Sequence, residues 1–139
     1  MKILIINGPN LNLLGKREPE IYGTKTFKEY LIELQSEFPE HQIDCYQTNH
    51  EGSIIDKLQE ADGVYDGVIL NPAAYTHTSI AIADAVKAIT VPVVEVHISD
   101  IEEREAYRKH SYITEVANHI IIGKGLIGYE LSVIFLINN

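Results

Sequence analysis

Short apolar runs alternate along the chain with longer segments in which apolar positions recur at helical spacing. The first run, residues 3–6, is apolar throughout and is followed by Asn7-Gly8-Pro9-Asn10, a pattern typical of a strand buried on both faces of a parallel sheet. Similar runs predict further strands at residues 41–47, 67–70, 91–97 and 119–122. Helices are predicted from about residue 26 to the residue before Pro39 and at about residues 53–61, 79–89, 101–116 and 126–137.

This order of elements predicts the fold class. Strand and helix alternate five times, and each parallel connection needs a covering helix and a right-handed crossover. The expected structure is α/β, a flavodoxin-like doubly wound five-stranded parallel sheet with strand order 2-1-3-4-5. No linker or internal repeat is visible, so residues 1–139 are predicted to form a single domain.

Two of the predicted helices carry more specific signals. Thr26-Phe27-Lys28-Glu29 fits a capping box at the start of the first helix. The last helix is apolar nearly all round, which is more apolar surface than one sheet face can cover. We therefore expect part of it to contact another subunit. Its apolar residues are Leu126, Ile127, Tyr129, Leu131, Val133, Ile134, Phe135 and Leu136.

Composition and charge restrict the expected partners. Eleven Lys and Arg against twenty Asp and Glu give a net charge of -9, so there is no overall positive field to hold a phosphate backbone. The apolar start is too short for a signal peptide, and no run reaches the length of a membrane helix. The single cysteine, Cys45, forms no intramolecular disulfide and is interpreted as a packing residue. We expect a cytoplasmic protein with neither nucleic acid nor membrane as its partner.

Polar side chains cluster where the predicted strands end. Ligands of an open α/β sheet bind beyond the carboxyl ends of its strands, near the point where strand order reverses. There strand 1 supplies Asn10, strand 3 supplies Asn71 and then His77, and strand 4 supplies Glu95 and His97. Asn and Pro residues also end strands for structural reasons alone, and His97 on its own could be a hydrogen-bonded core residue. Convergence from three strands favours a functional site.

The connection after strand 1 is unusually long. It runs for about sixteen residues, from Gly8 to Gly23, where such loops usually have two to six. Long loops at the functional edge of a sheet are often lids, and this one could carry Arg17 and Tyr22 over the strand ends. A solvated charged loop with a packing tyrosine would show the same spacing.

The three arginines, Arg17, Arg104 and Arg108, are candidate binders of an anionic ligand. Arg104 and Arg108 are four residues apart on a predicted helix and so share a face. Arg104 can be explained by a surface ion pair with Asp100 or Glu102. Arg108 offers a fork-shaped donor that could hold a planar carboxylate by two hydrogen bonds.

Two other patterns suggest different sites, and both are weaker. Residues 123–128, Gly-Lys-Gly-Leu-Ile-Gly, match GxGxxG, but the chain continues for only eleven residues, too few for a βαβ unit with a ribose-binding acid. His77, Asp84, Glu95 and His97 could form a metal site, yet no HExxH motif or paired-carboxylate signature accompanies them.

Five motifs together resemble the type II 3-dehydroquinate dehydratases, and the resemblance covers essentially the whole chain. They are Ile6-Asn7-Gly8-Pro9-Asn10-Leu11-Asn12-Leu13-Leu14-Gly15, Arg17-Glu18-Pro19-Glu20-Ile21-Tyr22-Gly23, Asn49-His50-Glu51-Gly52, Asn71-Pro72-Ala73-Ala74-Tyr75-Thr76-His77-Thr78-Ser79 and Glu95-Val96-His97-Ile98-Ser99. The resemblance implies a hydro-lyase that converts 3-dehydroquinate to 3-dehydroshikimate in the shikimate pathway of aromatic amino acid biosynthesis. It also implies an anti elimination through an enolate, without metal or cofactor.

The same resemblance implies roles for individual residues of the catalytic set. Tyr22 would be the general base that takes the proton from C2, and Arg17 would activate it. His97 would protonate the departing C1 hydroxyl, with Glu95 orienting its imidazole. Asn10 would help to hold a water molecule against the enolate oxygen.

Substrate binding and assembly are implied in the same way. Asp84 matches an acidic residue that reaches the site of an adjacent subunit. These enzymes typically assemble as homododecamers built from trimers, which agrees with the apolar last helix. The remaining substrate-binding positions would be Asn71, His77, Ile98, Ser99 and Arg108, the last on the carboxylate side of the pocket.

The chain departs from the family pattern at two positions, and two other functions remain open. Ala83 stands where an arginine is often found, and Asp100 stands where an asparagine is common; both bear on subunit contacts or substrate affinity. The first alternative function is a non-catalytic flavodoxin-like module that binds a small anion. The second is a metal-dependent hydrolase that uses His77, Glu95 and His97.

Overall fold

Five parallel strands form one sheet in the order β2-β1-β3-β4-β5. The computed structural model describes residues 1–16, 20 and 23–139. The strands are β1 (Lys2–Asn7), β2 (Gln42–Gln47), β3 (Gly67–Asn71), β4 (Val93–His97) and β5 (His119–Ile122). In the described part of the chain, four α-helices connect or follow them, namely α1 (Phe27–Glu37), α2 (Glu51–Ala61), α3 (Ile80–Ala88) and α4 (Ile127–Asn138). The predicted flavodoxin-like fold class and strand order are confirmed.

The sheet is covered on both faces, as the unbroken apolar run of β1 indicates. On one face Ile3, Ile5 and Val96 pack with residues of α1 and α4. On the other face Leu4 and Ile6 pack with residues of α2 and α3. The functional edge is therefore the row of strand tips, which is the edge that the helices leave open.

The boundaries of the elements differ little from those predicted. Thr26 caps α1 with the predicted capping box, since its side chain accepts from the Glu29 N–H and Glu29 accepts from the Thr26 N–H. β4 begins at Val93 rather than at residue 91, because Pro92 has no N–H to give to a ladder. α2 begins at Glu51 rather than at residue 53, and no side chain caps its first turn.

The predicted helix at residues 101–116 is wrong. The segment contains only two short 3-10 turns, Ile101–Glu103 and Ala106–Arg108. Hydroxyl side chains that bond elsewhere compete with helical hydrogen bonds, and Ser111 and Thr114 both donate to Glu95 of β4. Tyr112 also donates its backbone N–H to the carbonyl of Thr76, 2.9 Å away. These long-range bonds replace the helix that the periodicity predicted.

None of the described helices combines the length and the apolarity that a membrane crossing would need. Cys45 packs at the edge of the cluster under α1, and its burial raises the pKa of its thiol to about 12.

Candidate active site

A cleft opens above the tips of β1, β3 and β4, at the carboxyl edge of the sheet. Its position is the one that the strand order predicts, since β1 and β3 flank the point where the order reverses. The loop after β1, the turn after β3 and the segment after β4 each form one wall. The lining residues are Pro9, Asn10, Leu11, Leu14, Asn71, Ala73, Ala74, His77, His97, Ile98, Ser99, Ile101, Arg104 and Arg108.

The backbone is strained at two points of this lining. Asn10 and Ala73 have φ angles of 69° and 52° and are the only described residues other than glycine with positive φ. This region is disfavoured for residues with a side chain, and such residues cluster at functional sites. Asn10 is held by a hydrogen bond from its N–H to Oδ1 of Asn49, at 3.1 Å. The Ala73 N–H donates to Oδ1 of Asn71, also at 3.1 Å.

A buried phenol fixes the amide of Asn71. The Tyr129 hydroxyl of α4 is fully buried; it accepts from Nδ2 of Asn71 and donates to Oδ1 of Asn7, each at 2.8 Å. Because Ala73 donates to the other end of the Asn71 amide, the amide has one orientation. Burial raises the pKa of the Tyr129 phenol, so this phenol is a neutral donor.

Glu95 and His97 form a buried pair on β4. Side chains two residues apart on a strand share a face, and Nε2 of His97 donates to Oε2 of Glu95 at 2.5 Å. Glu95 has 0% and His97 has 5% of its surface exposed. Since Nε2 is engaged, Nδ1 is the ring nitrogen of His97 that can meet a ligand in the cleft.

Three hydroxyls complete the surroundings of the Glu95 carboxyl. Thr76 and Ser111 donate to Oε2, each at 2.7 Å, and Thr114 donates to Oε1 at 2.6 Å. Burial by itself raises the pKa of Glu95, but the His97 ring and the Thr114 and Ser111 hydroxyls together lower it below its usual range. The carboxyl is therefore an anion although it has no contact with solvent.

His77 is held from the opposite wall. Its Nδ1 lies 2.7 Å from the carbonyl oxygen of His110, and a carbonyl only accepts, so Nδ1 carries the proton and Nε2 is an acceptor. Burial and the positive groups His97, Arg108 and Arg104 lower the pKa of His77 more than the His110 carbonyl raises it. His77 is thus a neutral imidazole near neutral pH.

Two guanidinium groups make the far side of the cleft positive. Arg104 and Arg108 both line it, and their Nε atoms lie 3.8 Å and 3.3 Å from Oε2 of Glu105. Nε of Arg108 is buried and forms no hydrogen bond with the described residues. Arg104 has 18% of its side chain exposed, and its ion-pair partner Glu105 has 53% exposed. A protein of net charge -9 therefore concentrates cations where an anionic ligand could bind.

Comparison with known proteins decides the family. The family model Dehydroquinase class II matches residues 1–137. The chain belongs to this family. A 3-dehydroquinate dehydratase from Clostridium botulinum (strain Hall) is 50% identical over 139 residues, with 99% of this chain and 95% of that protein covered. A catabolic 3-dehydroquinase from Aspergillus clavatus is 47% identical over 133 residues, with 94% of this chain and 89% of that protein covered.

A solved structure supports the same assignment. The crystal structure of a type II dehydroquinase from Butyrivibrio crossotus matches with a TM-score of 0.93 and 47% identity, covering 100% of this chain and 98% of that chain. The predicted resemblance to the type II dehydroquinases is therefore confirmed, and with it the expectation of an enzyme.

The residues that the dehydroquinase resemblance singled out are distributed unevenly in the structure. Glu95 lies beneath the cleft and contacts His97 without lining the cleft itself. Asp84 is exposed on α3, away from the cleft of its own chain. Arg17 and Tyr22, with the predicted lid, lie outside the described residues. The cleft brings together Asn10, Asn71, His77, His97, Ile98, Ser99 and Arg108.

The structure explains the two weaker sequence patterns. At the GxGxxG match, Gly123 and Gly125 donate N–H groups to the carbonyls of His97 and Ile98, and a Cβ on Gly128 would lie 3.0 Å from Cγ2 of Val96. These glycines therefore pack against and hydrogen-bond to the end of β4. Among the described residues, no three His, Cys, Asp or Glu side chains form a group that could hold a metal ion.

Four residues that the structure brings to the site were not predicted from the sequence. Thr76, Ser111 and Thr114 bind Glu95, and Tyr129 binds Asn71. A signal existed for two of them, because hydroxyls at Ser111 and Thr114 interrupt a segment whose periodicity otherwise predicts a helix. Tyr129 gave no signal, since tyrosine is common in an apolar helix.

Proposed function

We propose that this protein is a type II 3-dehydroquinate dehydratase, a hydro-lyase that converts 3-dehydroquinate to 3-dehydroshikimate in the shikimate pathway. The names of the relatives support the substrate. The observation that carries the proposal is the buried Glu95–His97 pair at the bottom of a cleft whose lining also includes the guanidinium groups of Arg104 and Arg108. This arrangement offers a proton donor next to a subsite for a carboxylate.

In the proposed mechanism, Tyr22 takes the proton from C2 and Arg17 activates it. A phenol has a pKa near 10, so action as a base near neutral pH requires about 3 to 4 kcal/mol of stabilisation of the phenolate. One guanidinium about 4 Å away supplies about 4 kcal/mol at an effective dielectric of 20. Arg17 is sufficient for this task if the loop excludes water.

His97 is the proposed acid of the second step. The proton on Nδ1 passes to the C1 hydroxyl, which leaves as water in an anti elimination, and the ring keeps its proton on Nε2. The anionic Glu95 accepts the hydrogen bond from Nε2 and so orients the ring for the transfer. No metal or cofactor is needed for either proton transfer.

The remaining groups would bind the substrate and the enolate. Asn10 helps to hold a water molecule against the enolate oxygen, which is charged only during the reaction. Asn71, His77 and the Ile98–Ser99 segment bind hydroxyl groups. Arg108 holds the carboxylate, and Nε of Arg108 is buried without a hydrogen bond to any described residue.

The test follows the enone absorbance of the product with purified proteins. The unmodified protein should turn over 3-dehydroquinate, while Tyr22→Phe and Arg17→Ala should each lose at least about 100-fold in kcat, the usual contribution of a general base. Tyr65→Phe is the matched control, because Tyr65 lies against Lys2 at the opposite edge of the sheet. Near-normal turnover by either of the first two variants would contradict the mechanism.

The alternatives give different results in the same assay. A non-catalytic anion-binding module would bind 3-dehydroquinate without turnover by the unmodified protein. A metal-dependent hydrolase built on His77, Glu95 and His97 would lose its activity after exhaustive chelation, whereas the proposed dehydratase keeps it.

Assembly and location are also part of the proposal. The homododecamer of trimers and the cytoplasmic location remain predictions, and Asp84 would complete the site of a neighbouring subunit. The exposed apolar side chains of α4 support self-association, with Ile127 58%, Leu131 38% and Ile134 38% exposed. They lie at the i, i+4, i+7 spacing of a single helix face.

A further inference from the structure

The strongest feature that the proposed mechanism does not use is the set of hydroxyls around Glu95. Thr76 comes from the turn after β3, and Ser111 and Thr114 come from the segment after the 3-10 turn Ala106–Arg108. Their oxygens lie 2.6 to 2.7 Å from the carboxyl oxygens of Glu95, which is the short range expected of bonds to an anion. We call these three side chains the hydroxyl cage.

The hydroxyl cage and His97 together satisfy both carboxyl oxygens. Oε2 accepts from Thr76, Ser111 and His97, and Oε1 accepts from Thr114. A buried carboxylate is costly unless it is paired and hydrogen-bonded. Without the hydroxyls, the state of lower free energy would be a neutral Glu95 carboxylic acid beside a neutral His97 imidazole. That state would hold the proton on the wrong side chain for the proposed transfer.

On the basis of the proposed function, we propose that the hydroxyl cage consists of positioning residues for the elimination. The three hydroxyls keep Glu95 an anion, and this anion accepts from Nε2 of the His97 ring. The proton to be delivered is therefore on Nδ1, the ring nitrogen that Glu95 does not contact, and His97 lines the cleft. After it passes to the departing hydroxyl, water leaves, Glu95 is unchanged and His97 is neutral with its proton on Nε2.

The other charged and titratable groups near this pair come from two elements. His77, in the turn after β3, is neutral near neutral pH because of its burial and the positive groups around it, which lower its pKa. Arg104 and Arg108, in the segment after β4, are cations at all working pH values. The two arginines keep their charge in the acidic range where Glu95 titrates. His77 gains a proton as the pH falls, which adds a positive charge and so favours the Glu95 anion.

Ser111 also has a purely structural task, which the test must separate from the proposed one. Its Oγ accepts from the N–H groups of Ile113 and Thr114, at 3.2 Å and 3.3 Å, so Ser111→Ala would disturb the turn itself. Thr114 is better suited because its side chain is at the surface of the segment and its hydroxyl bonds to Glu95 alone. Thr114→Val keeps the shape and removes the donor, and Thr114→Ser keeps the donor.

The chain offers a matched control. Thr90 donates its hydroxyl to Oδ1 of Asp62 at 2.9 Å, and this carboxylate lies far from the cleft, beside the start of β4. Thr90→Val therefore removes the same kind of bond without touching the proposed machinery. Both valine variants are compared with the unmodified protein in steady-state kinetics with 3-dehydroquinate and in a ¹³C NMR titration of the carboxyl carbons. The Glu95 resonance is assigned by its absence from Glu95→Gln.

The expected result separates the two valine variants. Thr114→Val should lower kcat roughly tenfold, the scale expected when one hydrogen bond to a charged group is lost, with KM changed by less than about twofold. The pKa of Glu95 should move upward in the titration. Thr114→Ser should restore both kcat and the pKa of Glu95 to the values of the unmodified protein. Thr90→Val should leave kcat and the Glu95 titration unchanged.

Failure of this inference differs from failure of the proposed function. If the unmodified protein turns over substrate while Thr114→Val matches Thr90→Val in kcat and in the Glu95 titration, the positioning role is overturned. A loss of activity in Thr114→Val that only follows the loss of folded protein overturns it as well. If the unmodified protein does not turn over substrate, the proposed function itself is wrong.

Discussion

At the scale of single residues, the charge of Glu95 depends on four neighbours that the chain brings from three separate segments. Burial favours the neutral acid, and the bonds from His97, Thr76, Ser111 and Thr114 favour the anion. Because the pKa of Glu95 in the folded protein is lowered below its ordinary value, ionisation of Glu95 stabilises the fold at higher pH. This contribution is lost as the pH falls through the folded pKa.

Removal of one cage hydroxyl should therefore destabilise the protein in a pH-dependent way. A hydrogen bond to a charged group contributes about 1.5 to 3 kcal/mol, so Thr114→Val should lower the free energy of unfolding by about this amount at pH 7. The difference from the unmodified protein should shrink once Glu95 is protonated in the folded state. Urea unfolding at neutral pH and at a series of acidic pH values measures this difference in the free energy of unfolding. A difference that grows as the pH falls would contradict the role of the Thr114 hydroxyl in stabilising the Glu95 anion.

The Tyr129 hydroxyl offers a second test at this scale. Tyr129→Phe leaves Oδ1 of Asn7 and Nδ2 of Asn71 without their buried partner, at a cost of about 1 to 3 kcal/mol in the free energy of unfolding. Tyr30→Phe is the control, since the Tyr30 hydroxyl is buried in the same aromatic cluster and bonds to no described residue. The backbone of Glu130 lies near enough to the Tyr30 hydroxyl to influence the pKa of Tyr30.

Denaturant unfolding of the two variants gives the comparison. Tyr30→Phe should change the stability by less than about 0.5 kcal/mol, because no hydrogen bond is lost. Equal losses in both variants would mean that the Tyr129 bonds contribute nothing beyond packing.

At the scale of elements, the strands and helices could be predicted where local pattern and tertiary structure agree. The apolar run of β1, the capping box at Thr26 and the apolar face of α1 each depend on residues close together in sequence. Residues 101–116 were predicted wrongly, because their structure depends on bonds to Thr76 and Glu95, which lie in other elements. Periodicity carries no information about such partners.

The same limit applies to the candidate site. The strand-tip residues Asn71 and His97 could be predicted because ligands bind at that edge of the sheet. The hydroxyl cage could not, because the contact of Thr76 with Ser111 and Glu95 joins segments that are distant in sequence. The placement of Arg104 and Arg108 on one helical face was predicted from a helix that does not form.

The α1 cap gives a prediction at the element scale. Thr26→Ala removes the acceptor of the Glu29 N–H and should lower the free energy of unfolding by about 1 kcal/mol. Thr24→Ala, at an exposed position outside the helix, should have little effect. Thermal or urea unfolding measures both, and equal stability of the Thr26 and Thr24 variants would exclude a contribution from the cap.

At the scale of the whole molecule, the exposed stripe of α4 gives the prediction about assembly. Sedimentation should find a homododecamer, and Leu131→Lys should produce smaller species, because a buried lysine in an apolar contact is costly. Ile32→Lys, at a position 63% exposed on α1, is the matched control and should leave the assembly intact. A monomeric unmodified protein at working concentrations would contradict the prediction.

In the proposed mechanism the base and the acid meet across one bound substrate, and a crystal structure with a 3-dehydroquinate analogue measures this most directly. We expect the Tyr22 hydroxyl near C2 of the ligand, with Arg17 beside it. Nδ1 of His97 should lie within hydrogen-bond distance of the C1 oxygen, with the carboxylate on Arg108. The opposite result would be Tyr22 and His97 on different sides of the molecule, with no neighbouring subunit bringing them together.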